Sequence, residues 1–196
     1  MRYIQGLFGS VALGVLLLAI ALISVTQQTS ANRPDYDNPS PRTSLPPEPG
    51  QSRAWEVVRV SDGDTLTVRS NGREQKVRFC GIDAPENAQP LGHEARVYLQ
   101  QLVDQADGRV IVMETDRDRY GRLVAEVFTL TENYGEERSL QAELLAAGLA
   151  YIYPAYISDC PNGSVFKEAE AIAKEKQVGV WNGNYQRPWD YRKAIR

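Results

Sequence analysis

Histidine and cysteine are nearly missing from this sequence. His93 is the one histidine, and Cys80 and Cys160 are the only cysteines, in a chain of 196 residues. A zinc finger, an HExxH metalloprotease or a cysteine-rich disulfide scaffold each needs more of these side chains. A Ser-His-Asp hydrolase would have to run on His93 alone. An excess of positive charge is missing as well: 22 Lys and Arg stand against 25 Asp and Glu, a net of −3. Four of the basic and three of the acidic residues precede Ala54, so the balance from there on is 18 against 22. That excludes a general basic coat for nucleic acid. A polyanion has to be engaged at a local site, with a bound cation to help. What remains for hydrolytic chemistry is carboxylates, arginines and a hard metal. The length suits one domain plus a tail, and no internal repeat is visible.

Charge is absent altogether from Leu7 to Val25, a run of 19 residues. As a helix it covers roughly 28 Å, close to the hydrocarbon thickness of a bilayer. Residues 1–25 are therefore read as an N-terminal hydrophobic anchor or a signal peptide, with Thr29-Ser30-Ala31 as small residues for a peptidase. Signal h-regions span about 7–15 residues, so the length leans toward the anchor. Either way the domain is expected outside the cytoplasm, membrane-anchored or secreted. Residues 26–53 hold six prolines and almost no aliphatic side chains. Such a segment buries too little apolar surface to offset the entropy of ordering, and a disordered linker is expected.

The folded part starts near Ala54. Trp55–Val60 and Thr65–Val68 alternate as strands around the Ser61-Asp-Gly-Asp64 turn, in which Gly63 is expected to supply the awkward dihedral. Asn71-Gly72 is a second hairpin turn, and Glu74 to Ile82 reads as the third strand, Val77 and Phe79 on one face, Lys76 and Arg78 on the other. The period then becomes helical from Gly92 to Gln105. Strands follow at Arg109–Glu114 and Arg122–Phe128. Ser139 caps a helix that Gly148 ends, and a last helix runs from about Ser164 to Gln177. The fold class is α+β: a five-stranded Greek-key β-barrel of the OB-fold type with about three packed helices. The domain is placed at residues 54–182 and a basic C-terminal tail at 183–196, read as a solvated end.

Three clusters lie in the turns: Asp62-Gly-Asp-Thr65, Arg78-Phe-Cys-Gly-Ile-Asp83-Ala-Pro-Glu86 and Asp116-Arg-Asp-Arg-Tyr-Gly-Arg122. Asp64 begins the second strand and Asp83 ends the third, so a meander can bring both to one end of the sheet. Carboxylates converging there repel unless a cation sits between them, and without nitrogen or sulfur ligands the cation is hard, Ca²⁺ or Mg²⁺. Arg78 and Arg122 flank the acids with forks that fit phosphate oxygens. Together these groups suit a phosphodiester better than a sugar or a peptide. Singly, each cluster has an ordinary explanation as a turn, a helix start or a solvated hairpin tip.

In combination the clusters resemble the staphylococcal nuclease (thermonuclease) family. Residues 62–86 match its Asp-Gly-Asp-Thr turn, its arginine and its Asp-x-Pro-Glu ending, with Phe79 where an aliphatic residue is usual. Asp118-Arg-Tyr-Gly-Arg122 and the strand after it match the second signature. The similarity runs over roughly residues 54–182. It implies a Ca²⁺-dependent hydrolase of DNA and RNA, preferentially single-stranded, that leaves 3′-phosphates. Asp64, Asp83 and the Ala84 carbonyl are then the metal ligands. Glu86 orients or deprotonates the attacking water, and Arg78 and Arg122 grip the scissile phosphate. Arg119, Tyr120, Tyr153 and Tyr156 line the substrate site, and Asp62 supports its turn. The other class in play is a non-catalytic nucleic-acid-binding or interaction module on the same barrel. Degenerate relatives of that kind lose several of these acids and arginines, whereas all five are present here. A monomer is expected. Outside the cytoplasm Cys80 and Cys160 are candidates for a disulfide.

Overall fold

Alternating β-branched and polar residues lay down β1 (Ser52–Asp62) and β2 (Thr65–Ser70), which pair antiparallel. The structure, a computed structural model, describes residues 52–130 and 137–195. The uncharged run from Leu7 to Val25 and the proline-rich segment at 26–51 lie outside the described residues, and nothing there bears on either expectation. Among the described residues no helix is long and apolar enough to cross a membrane.

Register slips in β1 between Val57 and Arg59 and between Val60 and Asp62 add twist to the first hairpin. Asn71 and Gly72 take φ of 50° and 72°, as a two-residue hairpin loop demands, and lead into β3 (Arg73–Phe79). In β3 Val77 and Phe79 point into the core. The strand does not run on to Ile82 as expected. It breaks at Cys80-Gly81, where Gly81 has φ +68°, and a short β4 (Ile82–Asp83) leaves the barrel to pair with β8 (Tyr151–Ile152).

The first helix, α1 (Gly92–Asp104), buries Ala95, Leu99, Leu102 and Val103, the stripe legible at helical spacing. Then β5 (Arg109–Arg117) pairs with the other edge of β1, and β6 (Leu123–Leu130) returns along β5. Parallel pairing of Val77–Phe79 with Leu123–Ala125 closes a five-stranded barrel, in ring order β1-β2-β3-β6-β5. Closure leaves no open edge among these strands. A short β7 (Glu137–Ser139) extends β6, and Ser139 caps α2 (Leu140–Ala146) by accepting the Ala142 N–H at 3.3 Å. The third helix, α3 (Gly163–Lys176), packs on α2. Leu66, Val68, Val77, Phe79, Leu99, Leu144 and Phe166 are almost wholly removed from water. Each such side chain contributes roughly 1.5–3 kcal/mol of burial.

Two buried polar side chains brace the barrel. Gln141 accepts from the Val127 N–H at 3.1 Å and donates to the Ala125 carbonyl at 3.0 Å. Glu126 takes the backbone and side-chain N–H groups of Asn162 at 2.7 and 2.5 Å, fixing the start of α3. The segment read as a solvated tail instead forms a fourth helix, α4 (Pro188–Ala194), with proline at its first turn.

Candidate active site

Asp62 and Asp64 sit on the turn between β1 and β2. The Asp64 N–H donates to Asp62 Oδ1 at 3.0 Å, so Asp62 supports the turn. Gly63 is not there for its dihedral, since its φ is not positive. It is there for space: a Cβ at 63 would lie 2.7 Å from the Cβ atoms of both Ala84 and Ala95. The turn is thus pressed between α1 and the segment that follows β4.

That contact sets the acids beside the barrel's third strand. The Phe79 N–H donates to the Asp64 carbonyl at 2.9 Å, and Thr65 stands opposite Arg78 in the β2–β3 register. The Arg78 guanidinium pairs through Nη1 with Asp64 Oδ1 and donates through Nη2 to Asp83 Oδ1 at 2.6 Å. Asp64 Oδ2 accepts the Ala84 N–H at 2.6 Å, and Asp64 Oδ1 accepts the Thr65 hydroxyl at 3.2 Å. Burial, with repulsion from Asp64, pushes the Asp62 carboxyl up to about 7. Burial also raises Asp83, against the pull of Arg192 and Arg78. Burial works against the charge on Arg78, but Asp64, Asp83 and Asp62 outweigh it and hold the guanidinium protonated.

Glu86 follows Pro85 on the segment leading to α1, and its N–H donates to Gln89 Oε1 at 3.0 Å. Its carboxylate is met by a residue that the sequence did not point to. Arg192, on α4, donates through Nη1 to Glu86 Oε1 at 2.7 Å and to Asp83 Oδ1 at 3.0 Å, and through Nη2 to Asp83 Oδ2 at 2.8 Å. The available signal was composition: Trp189 and Tyr191 behind Pro188 are unlike a solvated end.

A neighbouring cluster occupies the β5–β6 turn. Arg78 stands opposite Val124 in the β3–β6 register, and Arg122 lies at the end of the turn that leads into β6. Arg122 Nε pairs with Asp118 Oδ2 at 2.6 Å, and the Tyr120 and Arg122 N–H groups donate to Asp118 Oδ1 at 2.9 and 3.0 Å. Slight burial raises Asp118, but these hydrogen bonds prevail and hold it below the usual carboxylate range. Arg119 donates to the Tyr120 hydroxyl at 2.9 Å, and Tyr120 is 65% exposed.

Tyr153 stacks on Trp189 at 5.2 Å between centroids, and Tyr156 meets Tyr153 edge-on at 4.9 Å. Tyr156 is the more exposed of the two. The Tyr153 N–H donates to the Gly81 carbonyl at 2.9 Å, which ties this loop to the break before Asp83. Cys80 and Cys160 are joined in a disulfide across the same break, with Cα atoms 5.9 Å apart. Gly81 has no room for a side chain there, since its Cβ would meet Cys160 Sγ at 2.6 Å. The structure therefore gathers Asp64, Asp83, Ala84, Glu86 and Arg78 into one group. Arg122, Arg119 and Tyr120 form a second, and Tyr153 and Tyr156 lie on the loop behind Gly81.

Among the described residues no three acidic, histidine or cysteine side chains are arranged to hold a metal ion. The acids turn to guanidinium groups instead. The donor chemistry still fits a hard divalent cation. Every available donor is oxygen, and the Arg78 guanidinium already supplies positive charge between Asp64 and Asp83.

Carboxylates interleaved with guanidinium forks beside an OB barrel suit the handling of a phosphate ester. Sequence likeness makes the class specific. The family model for staphylococcal nuclease homologues matches residues 76–183. A micrococcal nuclease of Shigella flexneri is 36% identical over 145 residues, covering 72% of this chain and 81% of its own. Protein ParB of Escherichia coli is 34% identical over 151 residues, 72% of this chain and 83% of its own. Endonuclease YncB of Bacillus subtilis (strain 168) is 30% identical over 167 residues, 81% of this chain and 75% of its own. The chain belongs to the staphylococcal nuclease family, and it is a nuclease that hydrolyses phosphodiester bonds.

Proposed function

We propose that this nuclease depends on Ca²⁺, cuts DNA and RNA with a preference for single strands, and leaves 3′-phosphate ends. The observation that carries the reading is the convergence of Asp64 and Asp83 on one arginine, Arg78. Asp64, Asp83 and the Ala84 carbonyl would hold the ion, an oxygen set of the kind hard cations take. When bound, the ion supplies Lewis acidity toward a phosphoryl oxygen. Glu86 orients a water and takes its proton. The water oxygen bonds to phosphorus in line with the 5′-oxygen, that P–O bond breaks, and the 5′-oxygen leaves as a hydroxyl once the proton Glu86 took reaches it through solvent. The Arg78 fork passes from the acids to the phosphate, and Arg122 joins it from the turn before β6. Both stabilise the charge that builds in the transition state. Arg119 and Tyr120 flank the phosphate, and Tyr153 and Tyr156 offer ring surface to a base. Stacking of this kind is worth about 1–3 kcal/mol per base and does not depend on sequence. The domain works as a monomer outside the cytoplasm, anchored by residues 1–25 or released from them. The Cys80–Cys160 bond supports that placement, because disulfides persist in oxidising compartments.

Digestion of denatured plasmid and of RNA, across a Ca²⁺ titration and with a chelator, tests the reading. Asp64→Asn and Asp83→Asn should shift the Ca²⁺ requirement upward and recover part of their activity at high Ca²⁺. Glu86→Gln should lose turnover even when Ca²⁺ is saturating. Digestion that proceeds unchanged with all metal chelated would overturn the Ca²⁺ mechanism.

A further inference from the structure

We propose that Arg192 is a positioning residue of this site: its fork holds Glu86 and Asp83 in the arrangement that water activation requires. The proposal rests on the reading of Glu86 given above.

The geometry is specific. Nη1 and Nη2 of Arg192 meet the two oxygens of Asp83 side by side, at 3.0 and 2.8 Å. Nη1 is shared with Glu86 Oε1 at 2.7 Å. One guanidinium therefore sets the separation of two carboxylates that lie three residues apart on a turn. Glu86 needs such a hold. Its carboxylate is about one-third exposed, and among the described residues Arg192 is its one side-chain partner. Only Oε1 is engaged, which leaves Oε2 for a water. Arg192 also stays clear of Asp64, whose oxygens are taken by Arg78, Thr65 and Ala84. It bridges the base to one acid and leaves the second acid to Arg78. A lysine ammonium in its place is a single point charge and cannot present a planar fork to both carboxylates.

Arg192 is itself held firmly. Trp189, one turn earlier, lies parallel to Tyr153, with 6° between the rings. The Arg187 guanidinium lies 4.0 Å from the Tyr151 ring and 4.7 Å from that of Trp181. Gln89 donates to the Gln186 carbonyl at 2.9 Å, joining the segment before α4 to the segment that carries Glu86. Tyr153 in turn hangs from Gly81 beside the disulfide. The C-terminal helix is docked by aromatic contacts at one end and by the site acids at the other.

The test uses the full chain with Arg192→Ala and Arg192→Lys. Readouts are kcat and KM on denatured DNA at saturating Ca²⁺, Ca²⁺ affinity by calorimetry, and Tm. Displacing a catalytic group by about 1 Å can cost on the order of 10²-fold. Arg192→Ala should therefore lose kcat on that order with little change in KM or in Tm at saturating Ca²⁺, and with Ca²⁺ affinity unchanged or raised, since a cation competing for Asp83 is gone. Arg192→Lys should recover only part. Added guanidinium ion should restore turnover to Arg192→Ala, while the same concentration of urea should not. A merely structural prop would not respond in this way. Should Arg192→Ala fail to fold, Arg192→Lys with and without guanidinium is read in the same way. Wild-type or higher kcat in Arg192→Ala overturns the proposal, the higher value making Arg192 a block on the site. Lost kcat without guanidinium rescue, accompanied by a fallen Tm or Ca²⁺ affinity, overturns it too. A wild-type chain inactive on DNA and RNA with Ca²⁺ overturns the reading of the site, and this proposal with it.

Discussion

Arginine appears at this site in three settings. Arg78 is nearly buried between two acids, Arg192 is a third exposed and bridges two, and Arg122 is paired with one acid at a hairpin tip. Lysine substitution keeps the charge and removes the planar fork. Arg78→Lys and Arg122→Lys should each lose on the order of 10²-fold in turnover if their donors act on transition-state charge. Added Ca²⁺ should rescue neither, and initial rates on denatured DNA across a Ca²⁺ titration check this. At this scale the gathering of Asp64, Asp83, Glu86 and Arg78 was legible because they fall on the turns and third strand of one meander, so sequence spacing reports spatial spacing. Arg192 was not, because its partners lie 109 and 106 residues away in the chain. No local pattern encodes such a contact. The role of Gly63 was misread for a related reason: a dihedral is a local property, whereas the two methyl groups it makes room for come from α1 and from the segment after β4.

The elements themselves were mostly legible, because their hydrophobic periods are regular: two for β1, β2 and β5, and 3.6 for α1 and α3. What escaped were short pieces whose identity depends on a partner. β4 has two residues and exists because β8 lies beside it. α4 reads as a charged tail unless Trp189 has Tyr153 to lie against. One close joint between elements is the one at Gly63, where turn, helix and site segment meet. Gly63→Ala puts a methyl 2.7 Å from two others, and something must shift. Overpacking of this sort costs about 1–3 kcal/mol. Urea denaturation should show that loss, and under the proposed Ca²⁺ mechanism the Ca²⁺ requirement should rise with it, because the Ala84 N–H is bonded to Asp64.

For the molecule as a whole, the barrel is closed by hydrogen bonds and cross-linked once. The disulfide joins residues separated by 80 positions in the sequence. In the chain-entropy description a loop of that size is worth roughly 4–5 kcal/mol. Replacing Cys80 and Cys160 together by serine should lower denaturant stability by about that amount. Reduction of the native protein should do the same, and thiol titration after unfolding should find no free groups before reduction. The pairing was legible only as a candidate. Two cysteines allow a single pairing, but whether their Cα atoms come within reach depends on where the loop after β8 returns.

The parallel seam between β3 and β6 also imposes an order in time. Phe79 finds its partner only when Ala125 has been made. At roughly 5–20 residues per second that is a wait of a few seconds for a growing chain. For most of that interval Asp64, Asp83 and Glu86 have already been made, yet the strand carrying Arg78 has one neighbour instead of two. Arg122 arrives with the seam itself and Arg192 later still. A prematurely released fragment that stops short of β6 therefore carries the acids but not the closed barrel.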